Sequence, residues 1–317
     1  MQFRLLGAVE ADVAGRPIKL GWRQERCLLA LLLLEGGRPI HNERLAELIW
    51  EGEPPPDPRA ALHVVVARLR GHLNGADAAA HGVRLVTKGD SYALEVAPEQ
   101  VDVARFRMLV ARGRSAEHPD RAAAFLRTAL RLWRGPALAD VAGPWLRRRV
   151  TDPLDELRLT ATEELMEAEL AAGRHHERIA ELTQLVAEHP LRERLRGQLM
   201  TALHREGRRV AALDCYEQLR RTLRDSFGLE PGAQLQQLHG RILRDLGPAP
   251  APQPSLGVPA RPPTPAELPA DVAGFVGRDA ELHRLDAMLP EATAGGGPVV
   301  VTAIAGTAGV GKPNPGN

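Results

Sequence analysis

Arg59, Arg68 and Arg70 share one short amphipathic run with His63 and a set of small residues, a grouping that can read a surface but cannot transfer a chemical group. At about 100° per residue, Leu62, Val65, Val66, Leu69 and Leu73 make one stripe that packs inward. The opposite face presents Ala60, Val64, Ala67 and Gly71, with His63 on one margin and Arg68 on the other. Arg59 and Arg70 lie on the His63 flank. A small-residue centre between arginine margins fits the major groove of B-DNA. There Val64 and Ala67 can meet thymine methyls, Arg68 can reach guanine O6/N7 and Arg70 a phosphate. Taken alone, the pattern also fits an ordinary solvated helix face.

Near the other end, Gly306-Thr307-Ala308-Gly309-Val310-Gly311-Lys312 has the G-x-x-x-x-G-K spacing of a phosphate-cradling loop. Gly306, Gly309, Gly311 and Lys312 are its nucleotide-binding positions. The hydroxyl that should follow to ligate magnesium is replaced by Pro313, which also removes an N–H at the helix start. With Asn317 last, no Walker B aspartate follows, so the expectation is a degenerate, truncated start of a nucleotide-binding domain without ATPase activity. His175-His176-Glu177 lacks the spacing that puts two imidazoles on one helical face, and Cys27 and Cys215 have no paired neighbours. No G-x-S-x-G or comparable nucleophile is present. The sequence therefore predicts no catalytic site, no metal and no cofactor.

The 317 residues carry 41 Lys+Arg against 40 Asp+Glu, which excludes a polybasic tail but not a local basic face. Aromatic residues are only 3% of the chain, which argues against a carbohydrate-binding barrel. No apolar run approaches the roughly 18 residues of a membrane span, and Met1-Gln2-Phe3-Arg4 opens no signal peptide. The two cysteines read as reduced core thiols, so a cytoplasmic protein without membrane contact is expected.

The elements that position the arginines can be read in order. Gln2–Leu6 and Pro17–Leu20 read as strands, Gln24–Glu35, Glu43–Trp50 and Arg59–Asn74 as helices. Asp57-Pro58 opens the third helix, with the carboxylate free to cap it. Arg84–Thr87 and Tyr92–Val96 follow as a hairpin turning through Lys88-Gly89-Asp90-Ser91. Three helices and then a hairpin make a winged helix-turn-helix of the response-regulator type. Thr87 and Lys88 at the wing tip can approach DNA phosphates or the minor groove. From Asp102 onward the pattern is helical, with breaks at Gly113, Gly135-Pro136, Gly143-Pro144, Gly173, His189-Pro190, Gly207 and Gly228. Shifting the chain by 34 residues pairs Met166 with Met200, Gly173 with Gly207 and Leu185 with Leu219, the period of tetratricopeptide helix pairs. The fold expected is mainly α with an α+β N-terminal part: a winged helix over 1–97 and a helical-repeat domain over 98–246. A linker over 247–270 follows, nine of the 23 residues Gly247–Pro269 being proline, and then the start of a nucleotide-binding domain over 271–317.

Several of these strings resemble one family. "LLGAVEADVAGRPIKLG", "RLAELIWEGEPPPDPRAALHVVVARLRGHL" and "VTKGDSYALEV" are similar to the DNA-binding domain of the Streptomyces antibiotic regulatory proteins. "VDVARFRMLVARG", Ala129–Val141, "EHPLRERLRGQLMTALHREGRRVAALDCYEQLRRTL" and "GLEPGAQLQQLHGRIL" resemble their bacterial transcriptional activator domain. Phe275–Leu282 resembles the entry to the STAND-type nucleotide-binding domain of larger members. The resemblance implies an activator of a secondary-metabolite (antibiotic) gene cluster, bound as a homodimer to promoter direct repeats near the −35 region. It also implies that RNA polymerase is recruited, with the sigma factor and the alpha C-terminal domain as contacts. One departure is Ser91, where the family's wing has glycine before the tyrosine. The loop Glu51-Gly52-Glu53-Pro54-Pro55-Pro56-Asp57 is acidic and held extended by its prolines, so Glu51, Glu53 and Asp57 are the expected polymerase contacts. The alternatives are a helical-repeat scaffold that binds protein instead of DNA, and a fragment of a STAND-type ATPase regulator.

Overall fold

Residues Ala14 and Gly15 both take left-handed backbone (φ 50° and 79°), which is what a two-residue type I′ hairpin turn requires. They join β2 (Glu10–Val13) to β3 (Arg16–Pro17), and β1 (Gln2–Arg4) pairs antiparallel on the other side of β2. These details come from a computed structural model that describes residues 1–245. The linker, the STAND-like entry and the phosphate-loop positions Gly306, Gly309, Gly311 and Lys312 lie outside the described residues. The sequence reading missed β2 and carried the first strand to Leu6. The strand stops at Arg4 because the Leu5 and Leu6 amides leave the ladder for the carboxylate of Asp102.

The first helix, α1 (Arg23–Leu34), is apolar all round from Cys27 to Leu33, so it runs through the core instead of lying on it. Burial pushes the Cys27 thiol up to about 12, which leaves it a protonated packing group. After α1 come a two-residue strand β4 (Ile40–His41), α2 (Asn42–Ile49) and α3 (Pro58–Gly75). Asp57 caps α3 by accepting from the Ala60 N–H at 2.9 Å, as the Asp-Pro pair predicts. The buried residues of α3 are Leu62, Val65, Val66, Leu69 and Leu73, the stripe expected from the wheel. The wing is β5 (Arg84–Lys88) and β6 (Ser91–Glu95), joined by Gly89 and Asp90 and completed to a three-stranded sheet by β4 in the order β4-β6-β5. Left-handed Gly89 (φ 58°) leads the two-residue loop, and Ser91 pairs with Lys88 on one side and His41 on the other. Serine before Tyr92 is therefore compatible with a closed hairpin.

The rest is helical: α4 (Asp102–Arg114), α5 (Pro119–Leu130), α6 (Pro144–Leu146), α7 (Asp152–Ala171), α8 (His175–Glu188), α9 (Glu193–Arg205), α10 (Arg209–Phe227) and α11 (Ala233–Arg244). A π-helical turn, Arg147–Thr151, joins α6 to α7. Gly113, read as a break, lies inside α4. A Cβ there would approach Leu126 Cγ at 2.8 Å, so the glycine lets α4 and α5 close on each other. The 34-residue repeat appears as the pairs α7–α8 and α9–α10. Gly173 and Gly207 occupy equivalent left-handed turns (φ 83° and 74°), and Met166 and Met200 are both fully buried. Glu169, also buried, is held by Arg127 and Arg174, and Arg174 reaches on to Asp120 at 2.5 Å. Burial alone would raise the Glu169 carboxyl, but the two guanidinium bonds hold it below the usual carboxylate range. No helix among the described residues is long and apolar enough to cross a membrane.

The expected division near residue 97 marks a change of element type, while the hydrogen bonds run straight across it. Residues 1–245 fall in one compact unit. Leu5 and Leu6 donate to Asp102; in return their carbonyls accept from Leu138 N at 3.0 Å and Arg134 N at 2.7 Å. Asp140 accepts from Val9 N at 2.8 Å and from Arg26 Nε at 2.7 Å. Glu51 is the third buckle: its carboxylate pairs with Arg23 and accepts from Gly143 N at 3.0 Å, at the start of α6. Arg149 adds a bond to Glu47 at 3.2 Å while stacking on Trp145.

That third buckle corrects the reading of the acidic loop. Glu51 is turned inward onto Arg23 and the helical part, and Asp57 is spent on the α3 cap. Both carboxylates face orphan donors of their own chain, which a partner would have to outcompete. Glu53 alone of the three is exposed and without an ion pair.

Candidate nucleic-acid interface

The outward face of α3 keeps the order the wheel gave it. Ala60, His63, Val64, Ala67, Arg68 and Gly71 are exposed, and Val64 leaves 48% of its surface uncovered, which is unusual for a valine with a core beside it. No residue of α3 is acidic. The ridge is thus small, uncharged and slightly apolar, flanked by cations.

The wing lies along α3, and the two are laced together by the arginines of the His63 flank. Arg59, at the start of α3, pairs with Asp90 in the wing loop at 3.0 Å. Arg70 donates from Nη2 to Thr87 Oγ1 at 2.7 Å and sits over the Tyr92 ring at 5.9 Å. Asn42 N, where α2 begins, donates to the Asp90 carbonyl at 2.9 Å. Arg59, Arg70, Thr87, Lys88 and His63 therefore share one surface. Lys88 is exposed and has no ion pair among the described residues.

Arg68 stands on the other margin, and its Nη1 faces Glu25 of α1 at 3.6 Å. Glu25 is 1% exposed and neither of its carboxylate oxygens accepts a hydrogen bond. Arg68 is the one cation within ion-pairing distance of it among the described residues, yet 60% of the arginine side chain remains exposed. The guanidinium thus compensates a buried charge with one nitrogen and presents the rest outward. Sequence reasoning found every one of these cations but neither Glu25 nor Asp90 as their partners. Asp90 was visible only as a turn residue, and Glu25 only as a polar residue in the first turn of an apolar helix.

A three-helix winged unit with a cationic, acid-free third helix, backed by helical repeats, defines a class: DNA-binding transcriptional regulators with an appended activator domain. Comparison with known proteins agrees element by element. Residues 15–92 match the family "Transcriptional regulatory protein, C terminal", and residues 101–243 match "Bacterial transcriptional activator domain". The chain is 40% identical to the regulatory protein AfsR of Streptomyces coelicolor over 322 residues, covering 98% of this chain and 31% of that protein. It is 40% identical to the transcriptional regulator RedD of the same organism over 250 residues, which covers 77% of this chain and 70% of RedD. Among solved structures, that of Mycobacterium tuberculosis EmbR in complex with a low-affinity phosphopeptide aligns with a TM-score of 0.70 at 35% identity, over 77% of this chain and 65% of that one. The chain belongs to the Streptomyces antibiotic regulatory protein family. It spans about a third of the length of AfsR.

Proposed function

We propose that this protein is a sequence-specific transcriptional activator of secondary-metabolite genes, acting in the cytoplasm and without enzymatic activity of its own. The observation that carries the reading is the α3 ridge: an exposed Val64 and Ala67 at its centre, cations on both margins and no carboxylate along the helix. Laid in a major groove, Val64 and Ala67 meet thymine methyls, and Arg68 offers its free nitrogens to a guanine edge. Lys88 at the wing tip, with Arg59 and Arg70 behind it, lies over the phosphates. Two protomers sit head to tail on direct repeats about one helical turn apart, near the −35 region. The RNA polymerase contact, with sigma and the alpha C-terminal domain as its partners, runs through Glu53 and the exposed faces of the helical repeats.

Electrophoretic mobility measured across a salt series tests the phosphate part directly. Lys88→Ala is expected to weaken binding to every duplex alike and to reduce the slope of log affinity on log salt by about one. A variant with an unchanged slope would remove the wing tip from the interface.

A further inference from the structure

Among the cations that this reading places against DNA, Arg59 is held by a carboxylate with no structural need for it. Arg59 Nη2 lies 3.0 Å from Asp90 Oδ1, and both side chains are largely exposed, at 69% and 60%. Asp90 is the only acid in the strip formed by α3, β5 and the wing loop. It cannot swing away, because Asn42 N holds its carbonyl at 2.9 Å and the preceding Gly89 fixes the turn. By contrast, Glu25, which faces Arg68, is buried, and Thr87, which faces Arg70, is neutral.

We propose that Asp90 sets DNA specificity by holding Arg59 back from phosphates that are not in operator register. The inference rests on the DNA-binding reading above. An exposed ion pair is weakly held and readily exchanged, so a phosphate fixed opposite Arg59 by correct seating of α3 can take the guanidinium over. On arbitrary duplex the phosphates are not held in that position. Arg59 then stays on Asp90, and the carboxylate adds repulsion at the surface where counterion release drives binding. The carboxylate thus lowers affinity for bulk DNA more than affinity for the operator. Since genomic competition makes the ratio of the two the relevant quantity, one acid in the wing loop acts as a discriminator.

The experiment uses the full chain with two probes: a duplex recovered by binding-site selection, and a random-sequence duplex of equal length. Asp90→Asn keeps the backbone carbonyl and the size of the side chain. It is expected to tighten binding to the random duplex about three- to tenfold and to steepen its salt slope by about one. Affinity for the selected site is expected to change less than twofold. Adding Arg59→Ala to Asp90→Asn should abolish most of the gain. Equal random-duplex affinity for parent and Asp90→Asn would overturn the proposal, as would a gain that survives Arg59→Ala. A parent protein that binds neither duplex would overturn the DNA-binding reading itself, a different result from a parent that binds both and a variant that behaves like it.

Discussion

Asp102→Ala is expected to cost about 3–5 kcal/mol of unfolding free energy and to loosen the winged part and the helical part together. The side chain is 3% exposed and accepts from two buried backbone amides, Leu5 N at 2.8 Å and Leu6 N at 2.9 Å. Removing it strands both donors in the core, at roughly 1–3 kcal/mol each. Burial pushes the Asp102 carboxyl above its usual range, while the Leu6, Leu5 and Val103 amides and Arg134 pull it back down. Because the folded value is the higher one, stability from this group is greatest in acid and declines as pH rises through the folded value. Asp102→Asn, which keeps one acceptor oxygen, should lose less. Urea titration followed by circular dichroism checks this, and a single cooperative transition is expected because the network crosses residue 97. For the same reason a fragment ending at residue 97 should not fold, since Leu5, Leu6 and Val9 would lose their partners. A stable fragment, or a variant as stable as the parent, would contradict the shared core.

Arg68→Ala is the second large effect, and it is expected in stability before it is seen in binding. With the arginine gone, Glu25 is a buried carboxylate with neither a hydrogen bond nor a counter-charge. Breaking a buried pair from one side costs about 3–5 kcal/mol, and water reaching this half-exposed guanidinium reduces the figure to about 2–3 kcal/mol. Adding Glu25→Gln to Arg68→Ala should recover most of the loss, because the orphan charge is then gone. If Arg68→Ala melts like the parent while losing base preference, the arginine is a reader alone and the pair with Glu25 is incidental. If the double variant stays as unstable as Arg68→Ala, the cost lies in lost packing of the arginine stem.

What could be read from the sequence follows from the range over which each signal acts. The α3 stripe, the Asp57 cap, the wing and the 34-residue repeat are local or periodic, and each occupies the place that periodicity gave it. β4 escaped because two residues carry no alternation, and β2 because its turn, Ala14-Gly15, uses an alanine in left-handed backbone. The arginines of the interface were found as types at helical spacing. Their partners were not, since Asp90 follows Arg59 by 31 residues and Glu25 precedes Arg68 by 43. The acidic loop shows the same limit. Net charge marked Glu51 as a surface group, but its destination, the Gly143 amide 92 residues away, depends on how the helical part docks.

The central claim, that the exposed ridge of α3 reads bases, is tested most directly by selecting binding sites from random duplexes with the parent chain and with Val64→Asn. Val64 is exposed, so its replacement leaves the core intact, and an asparagine at that place exchanges a methyl contact for an adenine-directed pair of hydrogen bonds. The parent should enrich a direct repeat spaced about one helical turn, with thymine at one position of each half-site. Val64→Asn should keep the repeat and its spacing while changing the base at that single position. Identical motifs from both proteins, or no enrichment from the parent, would contradict the account.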